Sequence, residues 1–307
     1  IFSLLSNNIE IRIATPGEFT RRAFENNKLD LTQVEAVADI VNAETEMQRK
    51  QALNHLSGSF FLSSKKMFED LKKILANIEA FIDFSEEELP DTLMLNIKEQ
   101  IENNIQEIRK ILKNSSIGIS IREGFDIAIL GKPNTGKSSF INNVSSREVA
   151  IVTDLPGTTR DLIESFVDID GYPIKFIDTA GIRETEDFVE KIGVKKAFSL
   201  SEKSDINIVF IENEEDINFF NDIKNAIFVR SKQDLFGGIF KEGIFYNISS
   251  KSNFGIKDIL SFLKKKIYNK LPDEMGYISR ERHVRCLSLV VRNLENSQQN
   301  KNIDLNK

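Results

Sequence analysis

The stretch Phe125-Asp-Ile-Ala-Ile-Leu130, followed at once by Gly131-Lys-Pro-Asn-Thr-Gly-Lys137-Ser138, decides the fold of this chain. A short apolar β run enters a loop of the form G-x-x-x-x-G-K-[ST], and a helix-forming stretch follows. The spacing has a physical reason. Glycines let the backbone wrap closely round phosphate groups, so that consecutive N–H groups and the next helix N-terminus point at negative charge. Lys137 is then placed to reach β- and γ-phosphates, and the Ser138 hydroxyl to ligate Mg²⁺. Asn134, Thr135, Gly136 and Ser139 complete the phosphate-facing run. An ordinary glycine-rich turn would need neither the strand before it nor the helix after it.

Further motifs follow in a fixed order. Asp178-Thr179-Ala180-Gly181 comes after the apolar strand Ile174-Lys-Phe-Ile177. An aspartate there can hold Mg²⁺ through water, while the Gly181 N–H senses the γ-phosphate. Between the two motifs, Gly157-Thr158-Thr159-Arg160 is where a switch threonine should complete the Mg²⁺ shell. Base choice is expected in Lys232-Gln233-Asp234, because an aspartate can accept from both guanine N1–H and the exocyclic amine, a pair that adenine lacks. Ser231 precedes it, and Ser249-Ser250-Lys251 resembles the small polar loop that backs the guanine carbonyl. In this order the motifs favour GTP over ATP. Ile182 stands directly after Gly181, where many GTPases carry a water-orienting glutamine. Isoleucine cannot hydrogen-bond through its side chain. Arg183 and Glu190 are the chemically capable neighbours, against the plain alternative of solvated loop residues.

Around this core the texture is αβ from residue 121 to 271, with strands expected at 125–130, 162–169, 172–177, 206–211, 226–230 and 244–248. Asp170-Gly171 signals a hairpin between the second and third. On either side the pattern is helical. Leu31, Val34, Ala38 and Val41 form one apolar stripe; Met67, Leu71, Ile74, Ile78 and Phe81 a second; Ile97, Ile101, Ile105, Ile108 and Leu112 a third. Val284, Leu287, Val291 and Leu294 resume it after Pro272. Such stripes are bundle core. The expected fold is therefore an α/β P-loop G domain with a mostly parallel, Ras-like sheet, inserted into an α-helical bundle. The expected division is 1–28, a remnant of a preceding domain; 29–120, the first helical part; 121–271, the G domain; and 272–307, the second helical part. Ile9-Glu-Ile11-Arg-Ile13 suggests a strand within the first piece, and the segment from Ile211 to Ala226 looks short for the helix and loops it must contain.

The whole-chain numbers narrow the class. The 307 residues are 40% hydrophobic and 29% charged, with net charge −6, which fits a globular protein and argues against a nucleic-acid grip over the entire surface. Lys264-Lys265-Lys266 and the Arg280 to Arg285 stretch read as solvated helix faces. No run approaches the ~18 apolar residues of a membrane span. No secretory signal is visible, and the lone Cys286 suits a reducing cytosol, so a cytoplasmic protein is expected. The first residue is Ile1, which suggests a fragment.

The segments ATPGEFTRRAF, NNKLDLTQVEAVADIVNAET, GKPNTGKSSFINNV, AIVTDLPGTTRD and DTAGIRETEDFVEKIGV resemble the tRNA modification GTPase family MnmE, also called TrmE. The resemblance runs from about Ile13 to Leu271. It implies an N-terminal folate-binding and dimerising domain, a helical domain, and a G domain inserted in the helical one. It also implies GTP hydrolysis that drives modification of the tRNA wobble uridine at C5. The implied assembly is a homodimer that forms a heterotetramer with the FAD-dependent partner MnmG, with 5-formyltetrahydrofolate or a related folate as one-carbon donor.

Residue by residue, the resemblance implies K⁺ held by Asn134, the carbonyls of Thr153 and Leu155, and Thr158, within a loop that includes Asp154, Pro156, Gly157 and Thr159. It implies Mg²⁺ on Ser138 and Thr159, a water-orienting role for Glu190, and a folate contact at Lys28. Departures stand beside these. Most of the folate-binding domain and the family's C-terminal cysteine motif are absent, Cys286 sits elsewhere, and the family's Asn-Lys-x-Asp has become Ser231-Lys232-Gln233-Asp234. A ribosome-assembly GTPase, or a non-catalytic nucleotide-binding scaffold, stays open as an alternative.

Overall fold

The computed structural model describes residues 11–83, 91–151, 163–178, 198–213, 215–235, 245–271 and 278–299. Among the described residues six helices come first: α1 (Glu18–Glu25), α2 (Leu31–Val41), α3 (Glu46–Leu56), α4 (Ser59–Asp83), α5 (Asp91–Lys113) and α6 (Ser115–Glu123). The apolar stripes of α4 and α5 form bundle core, whereas the stripe expected in α2 does not: Leu31 and Val41 are exposed, and Ala36 is the residue that helix buries. Helix α1 buries no residue, and α3 buries Gln51, Ala52 and His55. Capping boxes start α2 and α3, with Asp30 paired to Gln33 and Thr45 to Gln48.

The strand expected at Ile9 to Ile13 is not borne out where it is described, since residues 11–13 have no regular structure. Among the described residues Ile11 and Ile13 pair with no strand. Instead the Arg12 guanidinium clamps both oxygens of Glu18 at 2.7 Å, tying the segment to the start of α1.

The α/β part comprises β1 (Phe125–Gly131), α7 (Lys137–Arg147), β2 (Val149–Ile151), β3 (Ile163–Ile169), β4 (Tyr172–Asp178), β5 (Ile206–Ile211), α8 (Glu215–Phe219), β6 (Ala226–Arg230), β7 (Phe245–Asn247) and α9 (Ile256–Tyr268). Helix α10 (Glu281–Gln299) follows. The 7-stranded sheet has the order β2-β3-β4-β1-β5-β6-β7. Strand β1 runs parallel to β4 and β5, and β6 and β7 continue in parallel. Only the β2 and β3 edge is antiparallel. All six expected strands are present within a residue or two; the three-residue β2 is too short to show a period. At the β3–β4 hairpin Asp170 and Gly171 take positive φ values of 51° and 88°, as a two-residue turn that follows the strand twist requires.

Central strands are apolar on both faces because both are covered. One face packs Ile127, Ile129 and Phe176 against Phe140, Ile259 and Leu263. The other packs Ala128, Leu130 and Val209 against Phe220 and Ile223, which follow α8 in the short segment before β6. A separate core joins Met67, Ile74, Ile97, Ile101, Ile105 and Ile108 with Val291 of α10. Helices from both sides of the α/β insertion thus share one bundle, tied also by Arg109 to Glu295 at 2.6 Å. Helix α3 docks the insertion: the Met47 N–H donates to the Gly171 carbonyl at 3.1 Å, and the Gln48 and Gln51 amides donate to the carbonyls of Arg122 and Gly118.

Candidate functional site

The phosphate loop lies between β1 and α7. Its turn needs left-handed backbone at Asn134 (φ 61°) and Gly136 (φ 96°), and Gly136 is also the residue before the helix. A Cβ at Gly136 would meet the Ser231 Oγ at 2.8 Å, so the loop and the segment after β6 pack with no room for a side chain. Lys137 is nearly buried, and its Nζ donates to the carbonyls of Gly131 at 2.8 Å and Lys132 at 2.6 Å. Those bonds hold the ammonium at the centre of the loop. Burial pulls Lys137 below the usual lysine range, and the charge of Asp178 opposes that shift. Ser139 is exposed on the next position of the helix.

Asp178, at the C-terminal end of β4, is 1% exposed and accepts from the Ser138 hydroxyl at 2.9 Å. A hydroxyl and a carboxylate side by side are the oxygen donors that Mg²⁺ takes when substrate phosphates complete its shell, so these residues fit that ion. Among the described residues no group of three or more His, Cys, Asp or Glu could hold a metal alone.

At the other end of the site, Asp234 accepts from the Ser249 hydroxyl at 2.6 Å, and the Ser252 N–H donates to that same hydroxyl oxygen. The Ser249 bond is the main reason the Asp234 carboxyl lies below the ordinary aspartate range, with Lys251 adding its charge. The carboxylate is thus ionised and held by the Ser249 hydroxyl. Lys232 has a positive φ of 59°, and the Gln233 N–H donates to the Ile248 carbonyl, tying the base loop to the end of β7. The Ser231 hydroxyl donates to the Thr135 carbonyl, so serine braces the phosphate loop. The Ser250 carbonyl accepts from the Asn143 amide of α7 at 2.7 Å, a second tie between the two halves.

The structure therefore brings Asn134 to Ser138, Asp178, Ser231 to Asp234 and Ser249 to Lys251 to one end of the sheet, at the C-terminal ends of parallel strands. Thr153, Asp154, Leu155, Pro156, Gly157, Thr158, Thr159, Thr179, Ala180, Gly181, Arg183 and Glu190 lie outside the described residues. Lys28 is exposed in the turn between α1 and α2, in a different part of the fold. Sequence reasoning missed two residues that hold the site, Asp216 paired with Lys132 and Asn143 bonded to Ser250. No motif marks them, since each lies far in sequence from its partner.

A family model described as the MnmE helical domain matches residues 31–306. The chain belongs to the MnmE family. A relative named tRNA modification GTPase MnmE from Pelagibacter ubique (strain HTCC1062) is 44% identical over 229 residues, covering 73% of this chain and 52% of its own length. One of the same name from Aquifex aeolicus (strain VF5) is 39% identical over 289 residues, covering 90% of this chain and 64% of its own. The chain thus spans about half to two thirds of the length of these MnmE relatives. The solved G domain of the T. maritima FeoB iron transporter is 22% identical, with TM-score 0.35, over 48% of this chain and 98% of that one. Among the described residues no helix is long and apolar enough to cross a membrane.

Proposed function

We propose that this chain binds and hydrolyses GTP, and that within the whole MnmE protein this hydrolysis drives modification of the tRNA wobble uridine at C5. The observation that carries the reading is the coincidence of the Lys137 ammonium, the Ser138 and Asp178 oxygen pair and the braced Asp234 carboxylate at one end of the sheet. Membership of a family whose relatives are named tRNA modification GTPases supports the rest.

Lys137 would meet the β- and γ-phosphates, and Asp234 the guanine edge. Ser138 and Thr159 would hold Mg²⁺, which supplies charge neutralisation between those phosphates. Asn134, with Thr153, Leu155 and Thr158, would hold K⁺, which supplies the charge compensation an arginine finger gives elsewhere. Glu190, with Arg183 seven residues before it in sequence, would orient the attacking water that Ile182 cannot. Pairing of two G domains in a homodimer would assemble the cation loop. A heterotetramer with FAD-dependent MnmG, a folate bound with help from Lys28, a tRNA substrate and a cytoplasmic location complete the reading.

Single-turnover GTP hydrolysis in potassium and in sodium, at several protein concentrations, tests it. Potassium should accelerate the reaction by a factor on the order of 10² to 10³, the worth of one well-placed charge stabiliser. Rates should rise with protein concentration, and Glu190→Ala should slow chemistry while leaving GTP affinity in place. Equal rates in both salts, with Glu190→Ala as fast as wild type, would remove this mechanism.

A further inference from the structure

We propose that Asp216, acting through Lys132, is a positioning residue for the phosphate loop, and that the turn it caps keeps the phosphate and base halves of the site in register. This rests on the GTP-binding reading above.

Lys132 occupies a variable position of the loop motif, yet its main chain is central. Its carbonyl accepts from both the Lys137 ammonium at 2.6 Å and the Thr135 hydroxyl at 2.8 Å. Where that carbonyl points therefore decides where the phosphate-binding ammonium sits. The Lys132 side chain reaches out of the loop, 54% exposed, to Asp216 Oδ1 at 2.6 Å. Asp216 is 1% exposed, and its Oδ2 accepts from the N–H groups of Glu212 at 2.9 Å and Asn213 at 3.3 Å. Both carboxylate oxygens are therefore committed, one to the turn after β5 and one to the phosphate loop.

The same turn touches the base loop. Glu212 pairs with the Lys232 ammonium at 3.6 Å, and Ser231 beside it donates back to the Thr135 carbonyl. A closed circuit results: phosphate loop to Asp216, Asp216 to Glu212, Glu212 to Lys232, and Ser231 back to the phosphate loop. Charge supplies a second argument. An unpaired buried carboxylate near a site for a polyanion would repel it, and Lys132 cancels that field. Burial pushes the Asp216 carboxyl up, but Lys132 and the two N–H groups outweigh it, so Asp216 titrates below the usual range and is ionised.

The test titrates the chain with GDP and GTP and measures turnover against GTP concentration. Asp216→Asn keeps an acceptor for the two N–H groups and removes the charge partner. It should raise Kd roughly tenfold, as expected for loss of a charged hydrogen bond. The loss should appear in KM, with kcat at saturating GTP changed far less. Lys132→Met should match it, and the double variant should be no weaker than the worse single one, because the pair acts as a unit. Lys132→Arg should restore affinity to within about threefold, since arginine also pairs with a carboxylate. Wild-type affinity in Asp216→Asn, additive losses in the double variant, or no rescue by arginine would each overturn the proposal. If Asp216→Asn does not fold, Lys132→Met and Lys132→Arg decide alone. Lys137→Ala separates the two levels. If it keeps tight nucleotide binding, the GTP reading itself fails; if it loses binding while Asp216→Asn does not, only the positioning role falls.

Discussion

At the scale of single residues the site works through short polar side chains whose partners are fixed. Ser231 can brace the Thr135 carbonyl, which lies in a fully buried residue. Ser231→Ala should leave that acceptor unpaired, at a cost of about 1–3 kcal/mol. Ser231→Asn keeps a donor and adds an acceptor, so GDP titrations should rank asparagine tightest, serine next and alanine weakest. A Ser231→Ala protein that binds GDP as wild type does would remove the brace from the account. Asp234 carries a pH dependence. Its carboxyl is depressed chiefly by the Ser249 hydroxyl, so its ionised form is fully present above the ordinary aspartate pKa and is lost only as pH falls through the lower folded value. Ser249→Ala should shift that loss upward toward the ordinary value of about 3.9. GDP affinity followed from neutral to acid pH reads the shift, and superimposable profiles would refute the Ser249 role.

At the scale of elements, α3 is the piece that fixes how the α/β insertion meets the helices. Its first turn is held by the Thr45 and Gln48 capping box, and Gln48 reaches on to the Arg122 carbonyl at the end of α6. Helix α6 leads directly into β1 and the phosphate loop. Gln48→Ala removes both the reciprocal half of the cap and the contact to α6, and should destabilise the chain by about 1–3 kcal/mol. Thermal or urea unfolding measures this; a change within about 0.5 kcal/mol, as at ordinary surface positions, would show that α3 is not a structural tie. Helix α3 was hidden in the sequence because the side chains it buries include Gln51 and His55, so hydrophobic period does not reveal it. The α4 and α5 stripes were plain, because both bury isoleucine or methionine every turn or two.

At the scale of the molecule the apolar layers on the two faces of the sheet are distinct from a second core within the bundle. Ile108 is wholly buried in the second, against partners that include Val291 from beyond the insertion. Ile108→Ala should cost about 2–5 kcal/mol of bundle stability. The nucleotide site draws its contacts from the other core, so GDP affinity of the folded protein should stay at the wild-type value. Urea unfolding alongside GDP titration checks both halves of this expectation, and a parallel loss of affinity would mean that the cores are one cooperative unit.

The sequence alone pointed to six strands of the sheet, the striped helices α4, α5 and α10 and the insertion of the α/β part between helices, and it marked the loops proposed to hold the nucleotide. Local physics writes these directly: apolar period, turn glycines, and a loop whose lysine and serine spacing suits phosphate. The hairpin at Asp170 and Gly171 was legible for the same reason, since few residues tolerate both positive φ values. Only the tertiary structure decided which groups hold those motif residues in place. Ser231 on the Thr135 carbonyl, Ser249 on Asp234, Asp216 on Lys132 and Asn143 on Ser250 each join separate segments. A hydrogen bond or ion pair needs its partners within about 3 Å, and that proximity arises only when the sheet brings its strand ends together.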